Sequence, residues 1–325
     1  MRVLVVGTSV IDLFVSVDKD HYKTEAKTIT FTLGDKAPIS NQGMFIGGNG
    51  ANVAVGLSRL GHNPTLYTYL GQDGLAKTIE ERLTQEQIEL LRGAPRTQNT
   101  PIHLIFNFEH DRIIFSDYAC ENYEFKMSNQ ATIPDYIYLT SVGDSWQSAY
   151  KQVLDYANDN NIPLALSPGS RQLEEGGKLL QSALEACAIL LVNKEEAMKI
   201  LNLYKQKADG LKKLFSFLHA RGPEIISITD GGNGAYASDK KKIHKITPFN
   251  DNKAIIQKTG AGDAFASAFF ASLLFKNPLT ESMRWGAINA HSVMGHLGAQ
   301  EGLLSKNGIE RLVIVNPSFQ TETLN

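Results

Sequence analysis

The sequence predicts an α/β protein: a mainly parallel sheet covered by helices on both faces, with a small β-layer projecting from it. Three observations predict it. Short apolar, β-branched runs recur along the chain. Helical stretches separate them, the order that yields parallel strands joined by crossover helices. Two segments break that rhythm and read as strands without intervening helices.

Residues 2–7 are an apolar run that suits a strand buried on both faces. Residues 49–60 place small and apolar residues at helical spacing and stop at Gly61. A strand over 66–70 and a Glu- and Gln-rich helix over 75–91 follow. Four more short strands are predicted over 136–139, 164–167, 189–192 and 225–229, with helices such as 146–158 and 195–203 between them. The two exceptions are 29–46, strand-like with turn residues Gly34, Asp35 and Gly43, and the hairpin 102–108 with 112–118 around Glu109, His110 and Asp111. Together they suggest a β-lid, an oligomerisation surface, or both.

Composition excludes several classes. A chain of 325 residues makes one large domain or two ordinary ones. Its net charge of −2 offers no basic excess for a nucleic-acid backbone, and no polybasic run suits a membrane surface. The run Lys240, Lys241, Lys242 reads as a solvated turn. Gly7, Thr8, Ser9 and Asp12 interrupt the apolar start, and no small-residue cleavage site follows, so it does not read as a signal peptide. No apolar run is long enough for a membrane helix. Cys120 and Cys187 lack metal-ligand spacing and read as free thiols of a cytoplasmic protein.

Four constellations could carry chemistry. The first is Lys258-Thr259-Gly260-Ala261-Gly262-Asp263 before an apolar helix. Small residues leave the amides at the helix start uncovered, and those amides with the helix dipole form an anion site. Asp263 stands beside it, where a kinase needs a carboxylate to take the proton of the attacking hydroxyl. A simple helix cap with a tight glycine turn explains the same residues. The second is Gly47-Gly48-Asn49-Gly50-Ala51-Asn52, where glycines admit a ligand close to the backbone and Asn52 offers a donor and an acceptor to a polyol. Its alternative is a loop into a closely packed helix. The third, Asn193-Lys194-Glu195-Glu196 after a strand, is spaced as a capping box, and also sits where α/β sheets bind ligands. There Glu196 suits Mg²⁺ or phosphate-bound waters. The fourth is Thr229-Asp230-Gly231-Gly232-Asn233-Gly234. It lacks the helix of a dinucleotide fingerprint because 235–238 and 243–246 read as strands, so it is a nucleotide-contacting loop or a plain turn. No Walker A motif occurs. His291 and His296, five apart, share no helix face for a metal.

These motifs resemble the PfkB, or ribokinase-like, family of carbohydrate kinases over nearly the whole chain. Gly47-Gly48-Asn49-Gly50-Ala51-Asn52-Val53-Ala54 with Gly61 and Gly71 resembles the family's first signature. Gly260-Ala261-Gly262-Asp263 with Ser267 and Ala268 resembles the core of its second, and Asn193 with Glu196 its Asn-x-x-Glu element. Asp12 falls where the family keeps a substrate-binding aspartate. The resemblance implies a three-layer α/β/α core from 1–12, 47–95 and 128–325, and a β-lid from 13–46 and 96–127. It implies ATP-dependent phosphorylation of a sugar hydroxyl, with Asp263 as base and the Gly260, Ala261 and Gly262 amides as anion hole. Asp12, Gly47, Gly48 and Asn52 would hold the acceptor. Asn193 and Glu196 would serve the Mg²⁺–triphosphate region, Glu196 through water. Thr229, Gly231 and Gly234 would line the ATP site, with Asn289 beside the adenine. The expected partners are ATP, Mg²⁺ and a sugar, with no nucleic acid or membrane and with a homodimer through the lid.

Two departures stand out. Gln257-Lys258-Thr259 replaces the family's usual Asp-Thr-Thr, and Asn49 stands where ribokinase has Lys. In many members the aspartate helps hold an activating monovalent cation. A neutral Gln257 beside Lys258 predicts little need for potassium. Two other functions fit the same pattern. A nucleoside kinase would need an apolar slot, which Phe14, Phe31, Phe106 or Phe108 could supply. A non-catalytic binding protein would keep the fold without the reaction.

Overall fold

The computed structural model describes residues 1–26, 28–93, 99–108, 112–117, 124–127, 132–144 and 146–324. The chain begins β1 (Arg2–Val6), β2 (Val10–Val17), β3 (Tyr22–Glu25), β4 (Thr28–Phe31), β5 (Ile39–Gly47), α1 (Asn49–Arg59), β6 (Asn63–Thr68), α2 (Gly74–Gln85) and β7 (Glu89–Arg92). It continues β8 (Ile102–Asn107), β9 (Arg112–Ser116), β10 (Tyr136–Leu139), α3 (Trp146–Asp159), β11 (Leu164–Leu166), α4 (Ser170–Glu175), α5 (Lys178–Ala186), β12 (Cys187–Asn193) and α6 (Lys194–Leu203). It ends α7 (Leu211–His219), β13 (Ile225–Thr229), β14 (Ala235–Ser238), β15 (Ile243–Ile246), α8 (Ala261–Leu274), α9 (Leu279–Met294), α10 (Lys306–Val315) and β16 (Glu322–Leu324).

The main sheet has ten strands in the order β16-β15-β14-β13-β12-β11-β10-β1-β6-β7. It is parallel from β13 to β7 and antiparallel from β13 to β16. Alternation along β1 shows why three layers form. Val3 and Val5 join one core with Leu57, Phe269 and Ile288, while Leu4 and Val6 join another with Trp146, Leu184 and Leu218. Successive side chains point to opposite faces, so an all-apolar strand must be covered twice. The small sheet has the order β5-β2-β8-β9. Among the described residues, no helix is long and apolar enough to cross a membrane.

Three expectations change. The helix read over 75–91 ends at Gln85, because Gln87 takes a left-handed φ of 57° and Glu89–Arg92 pairs with β6 as an edge strand. The segment 29–46 divides between two sheets: β4 pairs with β3, and β5 with β2. Gly34 does sit at a positive φ of 83° between them, but Gly43 lies within β5 opposite Phe14, beside a register shift. Strand β2 begins at Val10, so Asp12, assigned by the resemblance to the core segment 1–12, belongs to the small sheet. The hairpin of β8 and β9 is antiparallel, from His103 opposite Ser116 to Asn107 opposite Arg112. Its turn 109–111, Tyr118 and Cys120 lie outside the described residues. Cys187 is a buried free thiol whose pKa burial pushes up, which makes it a poor nucleophile.

The two glycine-rich motifs meet where α1 packs against α8. A Cβ at Gly56 would lie 2.4 Å from Ser267 Oγ and 2.7 Å from its Cβ. The helix axes therefore approach more closely than any larger residue allows. We expect Gly56→Val to cost about 1–3 kcal/mol by overpacking, read as a lower midpoint in thermal or denaturant unfolding. An unchanged midpoint would show that the contact yields.

Candidate active site

The site forms where α8 begins. Gly260 caps the helix at a left-handed φ of 80°, and a Cβ there would lie 2.5 Å from that of Ala299. Both conformation and space demand glycine. The helix has no side-chain cap, so its first amides and dipole face a cavity. The Ala261 N–H turns back to the Lys258 carbonyl at 3.3 Å. Nothing lies within 4 Å of where a Gly262 Cβ would be, which leaves open space above the second residue of the turn.

Asp263 follows in the first turn. Its Oδ2 accepts a 2.8 Å hydrogen bond from Asn52 Nδ2, across the α1–α8 contact. Burial pushes its pKa up to about 7; the Asn52 bond opposes that, while the nearby Glu196 and Asp12 carboxylates add to it. The carboxyl group keeps a partly open edge toward the cavities while protein surrounds it on most sides. A carboxylate so tuned is poised to take a proton near neutrality.

Two cavities meet at this residue. One, of about 350 Å³, lies between the main sheet and the small sheet. Thr8, Ser9, Thr68, Ser116 and Ser141 line it, together with Asp12, His103, Asp117 and Arg171. The other, of about 240 Å³, runs over Asn193, Ser227, Thr229, Lys258 and Gly262. Asn49, Arg112, Glu196, Gly260 and Asp263 border both. A two-substrate transfer needs this layout: separate compartments with the reacting group between them.

Asp12 is 3% exposed and pairs in register with His103, whose Nδ1 lies 3.2 Å from Asp12 Oδ1. Gly47 makes room for it, since a Cβ there would fall 2.1 Å from Asp12 Oδ2. Gly48, at φ 91°, borders the larger cavity beside Asp12, whereas Gly47 backs Asp12 without lining the cavity. Asn52 borders it too, but both its polar atoms are engaged: Nδ2 with Asp263, and Oδ1 with Gln300 Nε2 at 3.1 Å. It thus holds Asp263 as well as facing the cavity.

The capping box at Asn193 is complete. Glu196 N–H donates to Asn193 Oδ1 at 2.9 Å, and Asn193 N–H donates to Glu196 Oε2 at 2.8 Å. The box uses one carboxylate oxygen, and the same carboxylate borders both cavities. Burial raises its pKa. The two readings of this motif are therefore geometrically compatible. Among the described residues no group of three or more His, Cys, Asp or Glu is arranged to hold a metal ion. One or two hard oxygen donors suit Mg²⁺, which keeps waters and phosphate oxygens in its shell.

Thr229 lines the smaller cavity. Gly231 and Gly234 lie in the turn after β13 with positive φ, and a Cβ at Gly234 would fall 1.9 Å from the Ile246 carbonyl; neither lines either cavity. Asn289 does not reach the site. It is fully buried, donating to the Ala264 carbonyl at 2.8 Å and accepting from the Leu304 N–H at 2.9 Å, so it ties α9 to its neighbours. His291 pairs with Asp251 and His296 with the Ser292 carbonyl. Phe14 packs edge-on against Phe45, Phe31 and Phe108 against Tyr22, and Phe106 against Phe115; none lines the larger cavity.

Sequence reasoning missed His103, Arg112 and Arg171. The alternation of His103 with Ile105, and of Arg112 with Ile114 and Ser116, was a usable signal, since all five line the cavity. Which face pointed inward depended on pairing with β2.

The pattern describing pfkB family carbohydrate kinases matches residues 2–306. The chain belongs to the pfkB family. A ribokinase of Haemophilus influenzae is 25% identical over 275 residues, 83% of this chain and 88% of the relative. A nucleoside kinase of Methanocaldococcus jannaschii is 25% identical over 264 residues, 80% and 82% of the two chains. The crystal structure of the nucleoside kinase of that organism superposes with a TM-score of 0.77 at 22% identity, covering 97% and 98% of the two chains. The fold is thus the ribokinase-like one, and the family is one of phosphotransferases.

Within this pfkB site, Gln257 has an unusual setting. It is 8% exposed. Its Nε2 lies 3.0 Å from the His296 carbonyl, 3.1 Å from that of Thr259 and 3.4 Å from that of Gly298, and its Oε1 accepts from the Thr259 N–H. The amide nitrogen already takes the oxygens among which a monovalent cation would sit, so these residues do not fit an added ion. We expect turnover to change by less than about twofold when potassium replaces a bulky inert cation at constant ionic strength. Strong, saturable activation would show that the carbonyls exchange the amide for the ion.

Proposed function

We propose that this chain transfers the γ-phosphoryl group of ATP to a hydroxyl of a small sugar, with Asp263 as general base. The observation that carries the reading is the position of Asp263, in the first turn of an uncapped helix and on the boundary of two cavities. The larger cavity, lined by serines, threonines, Asp12 and His103, would take the polyol. The smaller, running along Asn193, Thr229 and Lys258, would take the triphosphate. Gly231 and Gly234 would border the nucleotide beyond it, in the turn after β13.

In this mechanism Asp263 accepts the proton of the acceptor hydroxyl as its oxygen bonds to the γ-phosphorus. The bond from that phosphorus to the bridging oxygen breaks, and ADP leaves. Amides of Gly260, Ala261 and Gly262 would stabilise the phosphoryl oxygens in flight. Asp12 and Gly48 would orient the acceptor, with Gly47 leaving room for the Asp12 carboxylate. Mg²⁺ would be held through water by Glu196, with Asn193 beside it, and would neutralise charge on the phosphates.

A second reading is favoured by one observation. Val10, Tyr69, Pro101, Ile105 and Ile114 give the larger cavity an apolar side that suits a nucleobase. The acceptor would then be a nucleoside, as the name of the Methanocaldococcus relative suggests. Product analysis over a panel of sugars and nucleosides separates the two. We also read exposed Phe31, Leu33, Ile39, Met44 and Phe115, in and beside β4, β5 and β9, as a contact between two copies of the chain. Sedimentation velocity should then give a dimer that Phe115→Lys weakens, and a monomer in the unmodified protein would refute it.

Asp263→Asn should lower turnover by about 10²–10⁴-fold while ATP binding, measured by calorimetry, survives. Near-normal turnover would remove Asp263 from the role of base. The same variant has a second signature. The folded carboxyl titrates near pH 7 rather than at its ordinary 3.8, so the folded state holds the proton more tightly. Its contribution to stability is full below the ordinary value and lost as pH rises through about 7. Asp263→Asn should therefore melt above the unmodified protein at about pH 8, with the gap closing toward about pH 4.

A further inference from the structure

Gln300 lies in the segment between α9 and α10, far along the chain from the glycine-rich loops, and no motif marked it. It is 2% exposed. Its backbone carbonyl accepts from Arg59 Nη1 at 2.8 Å and from the Leu303 N–H at 3.2 Å. Arg59 also donates to the Leu303 carbonyl at 2.9 Å, and Glu86 holds its guanidinium at 2.6 Å. The backbone at Gln300 is thereby pinned to α1 and α2. From that anchor the side chain reaches Asn52 Oδ1, and Asn52 reaches Asp263.

The polarity of this chain of hydrogen bonds is set by charge. An ionised Asp263 only accepts, so Asn52 must turn its NH₂ toward it. Asn52 Oδ1 then faces Gln300, which must turn its own NH₂ inward. Each amide fixes the flip of the next. We propose that Gln300 is a positioning residue for phosphoryl transfer, which holds the Asn52 amide with its N–H aimed at the Asp263 carboxylate. The inference rests on Asp263 being the base. An Asn52 free to turn would sometimes present its oxygen to the carboxylate and repel the ionised form. The Asn52 bond is what offsets part of the burial of Asp263, so loosening it favours the protonated, inactive form.

The other charged and titratable groups facing Asp263 come from separate elements: Asp12 from β2, Arg112 from β9, Tyr138 from β10, Glu196 from α6 and Lys258 from the preceding loop. The hydrogen bonds of the Gln300 side chain run to Asn52 and to none of these. Its effect on Asp263 must then pass through Asn52. Gln300 also borders a separate cavity of about 240 Å³ beside Phe45, Arg82 and Glu301, so Gln300→Leu keeps its bulk without crowding the core.

The test is a carbon-13 NMR titration of Asp263 in the full, unliganded chain, assigned by loss of its signal in Asp263→Asn. Gln300→Leu should raise the midpoint by about half to one pH unit, and the acid limb of kcat should move with it. At pH 7 turnover should fall by about two- to fivefold and recover at higher pH, where the base is ionised in both proteins. In an Asn52→Leu background, Gln300→Leu should produce no further shift, as expected of a residue acting through Asn52. An unchanged midpoint in folded Gln300→Leu overturns the proposal, and so does an equal shift in both backgrounds. The titration needs no turnover. If product analysis finds no phosphorylation, the kinase reading fails on its own terms while the titration still judges the positioning.

Discussion

A helix whose first turn faces a cavity must give its amide protons to something. In α8 no side chain takes them, because Gly260, Ala261 and Gly262 have none that can. The turn is held open by what surrounds it: Ala299 against the Gly260 backbone, the Gln257 amide bound to carbonyls of the 296–298 segment, and α1 pressed close at Gly56. Unsatisfied amides are costly in a folded protein unless an anion or water completes them. The other features of the site are arranged around that exposed positive end. Asp263 stands in its first turn, and both cavities open onto it.

The main sheet supplies the frame. Strand β1 ends at Val6, and a Cβ at the following Gly7 would lie 2.8 Å from the Gly50 Cα, so the end of the strand and the start of α1 touch through two glycines. The small sheet then covers what the main sheet leaves open, contributing Asp12, His103 and Arg112 from three of its strands. A polar cavity between two sheets can be dry on one side and charged on the other, the condition under which a carboxylate shifts as far as Asp263 does.

Much of this was legible in the sequence. The strands of the main sheet announced themselves because a strand buried on both faces tolerates little except apolar residues, as in Val3–Val6. Gly260 and Asp263 were legible because a run of small residues opening a mostly apolar helix leaves its first amides uncovered beside a carboxylate. Asn289 misled, since a buried amide that ties two helices together looks the same in sequence as one facing a ligand. The end of α2 was misjudged because Ile88, Leu90 and Leu91 continue an apolar pattern that both periods accommodate, and only the left-handed turn at Gln87 divides them. His103 left only its alternation with Ile105 as a signal, and Gln300 left none, for a different reason. Their roles depend on which residue lies opposite in space, Asp12 for one and Asn52 for the other, and pairing across long separations leaves no local trace.

Those separations have a consequence for how the molecule comes into being. The bond from Asn52 to Asp263 joins residues 211 apart, and that from Gln300 to Asn52 joins residues 248 apart. Each closes a loop of most of the chain, and such contacts pay their entropic cost before they return any stabilisation. Secondary structure and much of the parallel sheet can assemble from nearer neighbours. The arrangement around Asp263 is complete only when the last third of the chain docks on the first. During refolding, recovered activity therefore times the final docking step, and spectroscopic signals of helix and sheet run ahead of it.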